Sequence, residues 1–458
     1  ITFSQGSAFL RRKNCAKYGA SSGKEEYNSP GDMMKGMTPM KKNRSIAAFL
    51  VLLGIFFSIG MLRPAYGNER TITIEECLAL AEANHPALEE ARAALAGQQA
   101  RLGQVKVSNA LKGNLSASSS RNSGSDGSYS TSFSVSKLLS DSGKNALERK
   151  SQGLSVDAAA ESQRETLLSV RTSVKEAYYG LLLAILRRDQ AEETVKTYKK
   201  HLDKARGFYD AGIVAKFDVT KAEVDLSNAR LDLLSAKSTL ETARAALSRA
   251  VGVPLGNIDP VSGFRPSMVL PDERFALEQA MENRPDFRTA RLKSQAGKLG
   301  ISIAAKGNAA TISLTGSAGL SGTGLPPDDD FRVGVTLSVP VFDGGLNDYR
   351  ISEARASSDG LLASQKKLEQ TIHYEVRSSI LAVQEAEARI PAAELLVRQA
   401  EENLTLAEGR YEMGVGNILE VADALLAFNS AKVSHFQALH DYSKAVSTLE
   451  KTLGGEFQ

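Results

Sequence analysis

Tyr209-Asp-Ala-Gly212 and Tyr411-Glu-Met-Gly414 each open a stretch, running to Gly252 and Gly454, that can be laid over the other without a gap. The offset is 202 residues throughout, pairing Asp218 with Glu420, Val219 with Val421 and Leu247 with Leu449. Alanine recurs every seventh residue in both copies: Ala222, Ala229, Ala236, Ala243, then Ala424, Ala431, Ala438, Ala445. Four residues beyond each alanine come Leu226, Leu233, Leu240 and Leu247 in one copy, and Phe428, His435, Tyr442 and Leu449 in the other. This is a heptad seam with a small residue at one core position and a larger one at the next. It predicts two helices that let a neighbour approach closely. A repeat of this kind governs every local reading.

The repeat extends upstream. Residues 144–211 contain no proline and carry a seam that includes Val170, Val174, Leu181, Ala184, Leu202, Ala205 and Tyr209. The same seam recurs 202 residues on, at Ile372, Val376, Val383, Ala386, Leu404, Ala407 and Tyr411. Long helices are therefore expected over 144–211 and 346–413, each about 100 Å long at ~1.5 Å per residue. Pro391 is expected to kink or break the second near its middle. Gly212 and Gly414 end these helices. Return helices are expected over 217–251 and 417–453, with Asp218 placed to begin the first. Shorter helices are expected over Thr73–Ala83, from Pro86 to about Leu111, over Asp272–Asn283, and from Pro285 to about Gly307. Each return path is thus two helices end to end, and Gly252–Pro271 is an irregular connector.

Between the short and long helices the period falls to two. Tyr129, Thr131, Phe133 and Val135 alternate with serines, and Phe331, Val333, Val335, Leu337, Val339 and Val341 alternate with polar residues. Strands are expected at about 113–122, 128–138, 311–320 and 331–341, the length of a tilted membrane-spanning strand. Gly319–Asp330, with Asp328–Asp330, is read as the loop between the last two.

Of the 56 Lys+Arg and 53 Asp+Glu, residues 1–67 hold 10 and 3; the remainder holds 46 and 50, a net of −4. Nothing in that balance suggests a nucleic-acid surface. Lys41-Lys42-Asn43-Arg44, the apolar run Ile46–Leu62 and Ala65-Tyr-Gly67 read as a secretory signal, with residues 1–36 an upstream extension. The expected divisions are 1–67, a first repeat over 68–265 and a second over 266–458. Cys15 precedes the signal, so Cys77 is left as a lone, buried thiol. No catalytic constellation, cofactor or metal site is read; His435 and His440, five apart on a helix, are off the usual ligand spacing.

The expected fold is mainly α, internally duplicated, with a membrane β-barrel. Four strands with one apolar face cannot close a barrel alone, and an open edge is not tolerated in lipid. The chain must therefore oligomerise, and the lumen is expected to be polar. A secreted structural coiled-coil protein without a pore is the alternative, and the strand pairs in both halves argue against it.

Several motifs now combine: the duplication, Asn84-His-Pro86 and Asn283-Arg-Pro285, Pro340-Val-Phe-Asp-Gly-Gly345, and Arg410-Tyr-Glu-Met-Gly414 with Glu420-Val421 and its twin in the first half. With these the chain resembles the TolC family of outer-membrane efflux proteins, over about residues 70–456. The resemblance implies a homotrimer with a twelve-stranded β-barrel in outer-membrane lipid and a twelve-helix tunnel across the periplasm. It also implies a periplasmic adaptor, an inner-membrane transporter and a cargo of small molecules, metals or polypeptides. It puts the closed aperture and the adaptor contacts at the two turns, Gly212-Ile213-Val214 and Gly414-Val415-Gly416-Asn417. Asp218, Glu420 and Asp423 then match acids lining the aperture. Tyr209 and Tyr411 are either seam-filling aromatics or gating contacts. Helix capping is the competing role for Asp218, and first-turn placement at a positive helix end for Glu420 and Asp423. Some members carry arginine where this chain has Gly416.

Overall fold

A computed structural model describes residues 70–121, 123–124, 127–261, 263–265 and 268–455; the expected signal and upstream extension lie outside them. The elements run β1 (Arg70–Ile72), α1 (Ile74–Asn84), α2 (Pro86–Lys106), β2 (Lys112–Ser120), β3 (Ser128–Ser140), α3 (Lys144–Asp210) and α4 (Lys216–Val251). They continue β4 (Ile258–Pro260), α5 (Glu273–Asn283), α6 (Pro285–Ala305), β5 (Thr311–Gly322), β6 (Asp328–Ser338), α7 (Leu346–Glu412) and α8 (Ile418–Leu453).

Local chemistry sets the helix starts. Thr73 Oγ1 accepts from the Glu76 N–H and the Glu76 carboxylate accepts from the Thr73 N–H, a reciprocal cap on α1. His85 Nδ1 accepts from the Ala87 N–H ahead of Pro86, and Asp272 accepts from the Arg274 N–H. Both long helices begin alike. Asp141 accepts from Gly143 and Asn145, and Asp343 from Gly345 and Asn347, while Gly143 and Gly345 sit at φ +85°. The aspartate caps from outside because the glycine at the cap position has no side chain to do so. The hydrogen bonds from Asn308, Asn347 and Gly345 hold the Asp343 carboxyl below the usual carboxylate range.

Two rows of four helices share the long ones. α2, α3, α6 and α7 pack in one row; α4, α3, α8 and α7 pack in the other. The heptad alanines lie in the second row's seams: Ala222, Ala229, Ala424, Ala431 and Ala438 are buried. α4 and α2 meet end to end, as do α8 and α6: a Cβ on Gly252 would touch His85, and one on Gly454 would touch Asn283 and Arg284. Outside the helices, β1 and β4 form a short parallel pair over a core holding Cys77, Tyr178, Leu181, Leu247 and Val251. Burial, then Glu76 and Glu75, push the Cys77 thiol up to about 12.

The other four strands form one antiparallel sheet in the order β2-β3-β5-β6. Its register puts Leu115, Phe133, Ala318 and Phe331 in one row, and Gly113, Val135, Gly316 and Val333 in another on the same face. Asn114, Ser134, Ser317 and Arg332 make a row on the opposite face. Serine pairs there, Ser116 with Ser132 and Ser118 with Ser130, are 2.8 Å apart. The apolar face is uncovered, with Phe331 77% and Val335 65% exposed. Among the described residues β2 and β6 each have one unpaired edge.

Several expectations need correction. Helix α2 stops at Lys106 rather than Leu111, because Asn145 and Ser108 take the Val105 carbonyl with their side chains. The connector is not wholly irregular, since it contains β4, whose partner β1 is too short and too distant in sequence to be read as a strand. Strand ends move by one to three residues. Asp328–Asp330 lie in β6, paired with Ser321, Leu320 and Gly319, because the ladder continues to the sheet's end and leaves only 323–327 as loop. α7 runs through Pro391 without a break: the missing N–H removes one ladder bond, and Ile390 beside it packs against the core. Asp218 does not cap α4; Ala215 holds the cap position and Asp218 lies in the first turn. Asn417 lies outside α8 and caps it. Among the described residues no helix is long and apolar enough to cross a membrane, which says nothing of a β-barrel.

Candidate functional site

The two repeated turns sit at the far ends of the long helices from the sheet. Each closes by the same backbone scheme. Gly212 has φ +75° and Gly414 φ +74°, a left-handed conformation that a side chain resists. The next amide donates back six residues' span, Ile213 to the Phe208 carbonyl at 2.9 Å and Val415 to the Arg410 carbonyl at 3.0 Å. This ends one helix and aims the chain into the next within five residues.

Beyond the backbone the turns differ. Ala215 offers α4 no side-chain cap, whereas Asn417 Oδ1 accepts from the Glu420 N–H at 2.9 Å. Glu420 Oε2 also takes a hydrogen bond from Arg410 Nε at 3.2 Å. Asp218 and Asp423 have neither a side-chain hydrogen bond nor an ion pair among the described residues. Tyr411 is buried in the α7–α8 core beside Phe208, ring centroids 5.6 Å apart, while Tyr209 is 44% exposed. The two tyrosines therefore part company: Tyr411 fills the seam and Tyr209 faces outward. Burial, then the Asp218 charge, raise the Tyr411 phenol above its ordinary range. Ile213, Phe217, Met413 and Val415 are exposed apolar side chains at the turns.

Above the turns the two hairpins are tied by polar pairs that pattern reading did not find. His201 Nε2 lies 3.4 Å from Glu408, and Lys204 pairs with Glu412, both between α3 and α7. Burial lowers the His201 pKa, against the opposing pull of Glu408. Lys204 holds the Glu412 carboxyl below its ordinary range. Gln190 meets Asn429 at 2.9 Å, and Lys432 lies 3.4 Å from Glu193, both between α3 and α8. These partners are about 200 or more residues apart in sequence, so no local periodicity reports them. His435 and His440 do not converge: His440 bonds Asp441 at 3.1 Å, and His435 packs beside Phe436.

The family model described as outer membrane efflux protein matches residues 77–253 and 276–455, one match on each repeat. The chain belongs to this family. It is a family of efflux proteins, not of enzymes. Among relatives of this outer membrane efflux protein, Outer membrane protein OprJ of Pseudomonas aeruginosa is 29% identical over 198 residues, 42% of this chain and 41% of OprJ. Outer membrane protein TolC of Escherichia coli is 23% identical over 328 residues, 67% of this chain and 65% of TolC. The chain thus spans less than two thirds of either relative. The Campylobacter jejuni CmeC outer membrane channel shares the fold at TM-score 0.75 with 17% identity, over 86% of this chain and 91% of that one. VceC of Vibrio cholerae does so at TM-score 0.71 and 21% identity, over 84% and 97%.

Proposed function

We propose that this chain is one protomer of a trimeric outer-membrane channel that passes solutes from a periplasmic tunnel to the outside. One observation carries the reading: a four-stranded sheet with an uncovered apolar face and two unpaired edges, set on helices about 100 Å long. In lipid each open edge must find a strand, and three copies closing edge to edge make a twelve-stranded barrel. The serine-rich face then lines the lumen. The tandem repeats, 68–265 and 266–458, each supply two strands, one long helix and one return path.

Solute enters at the turns. Asp218, Glu420 and Asp423 line the aperture there and favour cations. The exposed apolar residues of the turns, with Gly212, Val214, Gly414 and Gly416, form the surface that meets a periplasmic adaptor. An inner-membrane transporter supplies the cargo, a small molecule, metal or polypeptide that the tunnel itself does not select. The relatives' names support an efflux role, and the exposed apolar sheet disfavours a pore-free secreted fibre.

Fractionation tests this reading. The protein is expected to leave outer membranes only in detergent, to migrate as a heat-modifiable trimer, and to give small cation-selective openings in planar bilayers. Release by salt or carbonate as a soluble coiled coil would sink it.

A further inference from the structure

The aperture reading treats Glu420 and Asp423 alike, but the structure separates them. Arg410 in the last turn of α7 reaches across to Glu420 in the first turn of α8, Nε to Oε2 at 3.2 Å, with Nη2 3.5 Å from the Val415 carbonyl. The turn is shaped for that crossing. The Arg410 carbonyl accepts from both the Val415 and Gly416 amides at 3.0 Å. A Cβ on Gly416 would stand 3.0 Å from Arg410 Cβ and 3.1 Å from its carbonyl carbon. A side chain at 416 would press on Arg410 at its Cβ and backbone, which would have to give by a few tenths of an ångström.

The first turn places its cross-hairpin pair elsewhere, Arg206 Nη2 meeting Glu223 Oε1 at 2.7 Å. Phe208 occupies the place of Arg410 and Asp218 that of Glu420, and Arg206 is taken by Glu223, so Asp218 has no ion pair among the described residues. Asp423, one turn beyond Glu420, is exposed and unpaired among the described residues.

From this asymmetry we infer that Arg410 sets the charge of the aperture: it holds Glu420 as a neutral pair, so that cation attraction comes from Asp218 and Asp423. Arg410 is a specificity-determining residue. The inference rests on the aperture reading, and the test separates the two.

The full-length trimer is reconstituted in planar bilayers, reversal potentials are read in KCl gradients, and block is titrated with Mg²⁺ on the side of the turns. Arg410→Gln is expected to raise K⁺ preference and lower the Mg²⁺ half-block concentration about fivefold at 0.1 M salt. That figure takes three unmasked carboxylates acting on a doubly charged ion across roughly one Debye length. Adding Glu420→Gln to Arg410→Gln should reverse the change. Arg410→Lys, which keeps the charge, should shift both readings less than Arg410→Gln. It also stands in if Arg410→Gln fails to run as a heat-modifiable trimer. Asp423→Asn should weaken K⁺ preference and Mg²⁺ block. If Asp423→Asn acts as expected but Arg410→Gln leaves selectivity unchanged or lowers it, the role of Arg410 is overturned and the aperture stands. If neither variant moves selectivity or block, the aperture reading itself fails.

Discussion

Replacing Gly454 by alanine probes the end-to-end abutment that positions each return path. Gly454 closes α8 at φ +87°, and its Cβ would stand 2.7 Å from the Asn283 carbonyl carbon and 2.8 Å from the Arg284 nitrogen. A left-handed alanine costs about 1–2 kcal/mol. Those neighbours are backbone at the start of α6 and cannot swing aside, so overpacking adds about 1–3 kcal/mol. The sum is roughly 2–5 kcal/mol. Gly414→Ala is the matched control. It has φ +74° with nothing within 4 Å of the Cβ, and should cost only the conformational term, about 1–2 kcal/mol. At about 1–2 °C per kcal/mol for a chain near 400 residues, the losses in melting temperature are roughly 2–10 °C and 1–4 °C. The protein has no tryptophan, so helix melting in detergent is followed by circular dichroism. If both variants melt within a degree of each other, α8 does not abut α6 closely and the end-to-end packing is wrong.

Three further outcomes follow from the interior. Glu450 is 5% exposed and bonds Lys175 at 2.8 Å on one oxygen and Arg265 on the other, tying α3, the connector and α8 together. Glu450→Gln should cost about 3–5 kcal/mol, and adding Lys175→Met should recover part of it. Additive losses in the melting temperature would count against the network. His201 has its pKa lowered by burial, so the folded chain binds its proton less readily than the unfolded one. Its contribution is full above the unfolded value near 6.5 and is lost as pH falls through the lowered folded value. With Glu408 and Lys204 as its charged neighbours, His201→Gln should flatten the stability profile below about pH 6.5, and an unchanged slope would remove His201 from that role. Cys77, fully buried and pushed up to about 12, should resist iodoacetamide at pH 8 in the folded protein and react on denaturation, as read by mass spectrometry.

Much of this molecule was legible in the sequence because its elements are long and their periods sustained. The heptad alanines predicted close-packed helices, and Ala222, Ala229, Ala424 and Ala431 are buried in their seams. The period-two runs predicted strands apolar on one face, and the register aligns Leu115, Phe133, Ala318 and Phe331 there. Gly212 and Gly414 marked the turns, because only glycine adopts their φ without strain.

Tertiary structure decided what depends on partners far apart in the chain. β1 and β4 are three residues each and exist only because Arg70–Ile72 finds Ile258–Pro260. Tyr209 and Tyr411 are equivalent by repeat, yet only Tyr411 is buried, because Phe208 packs against it across the two hairpins. The sequence read Glu420 and Asp423 alike as first-turn acids, but only Glu420 lies in the first turn of α8; Arg410 reaches it and not Asp423 because the turn brings the arginine back over Gly416. Periodicity reports which face of an element is apolar. Which charged group meets which is settled by where the chain folds back, and no local pattern carries that.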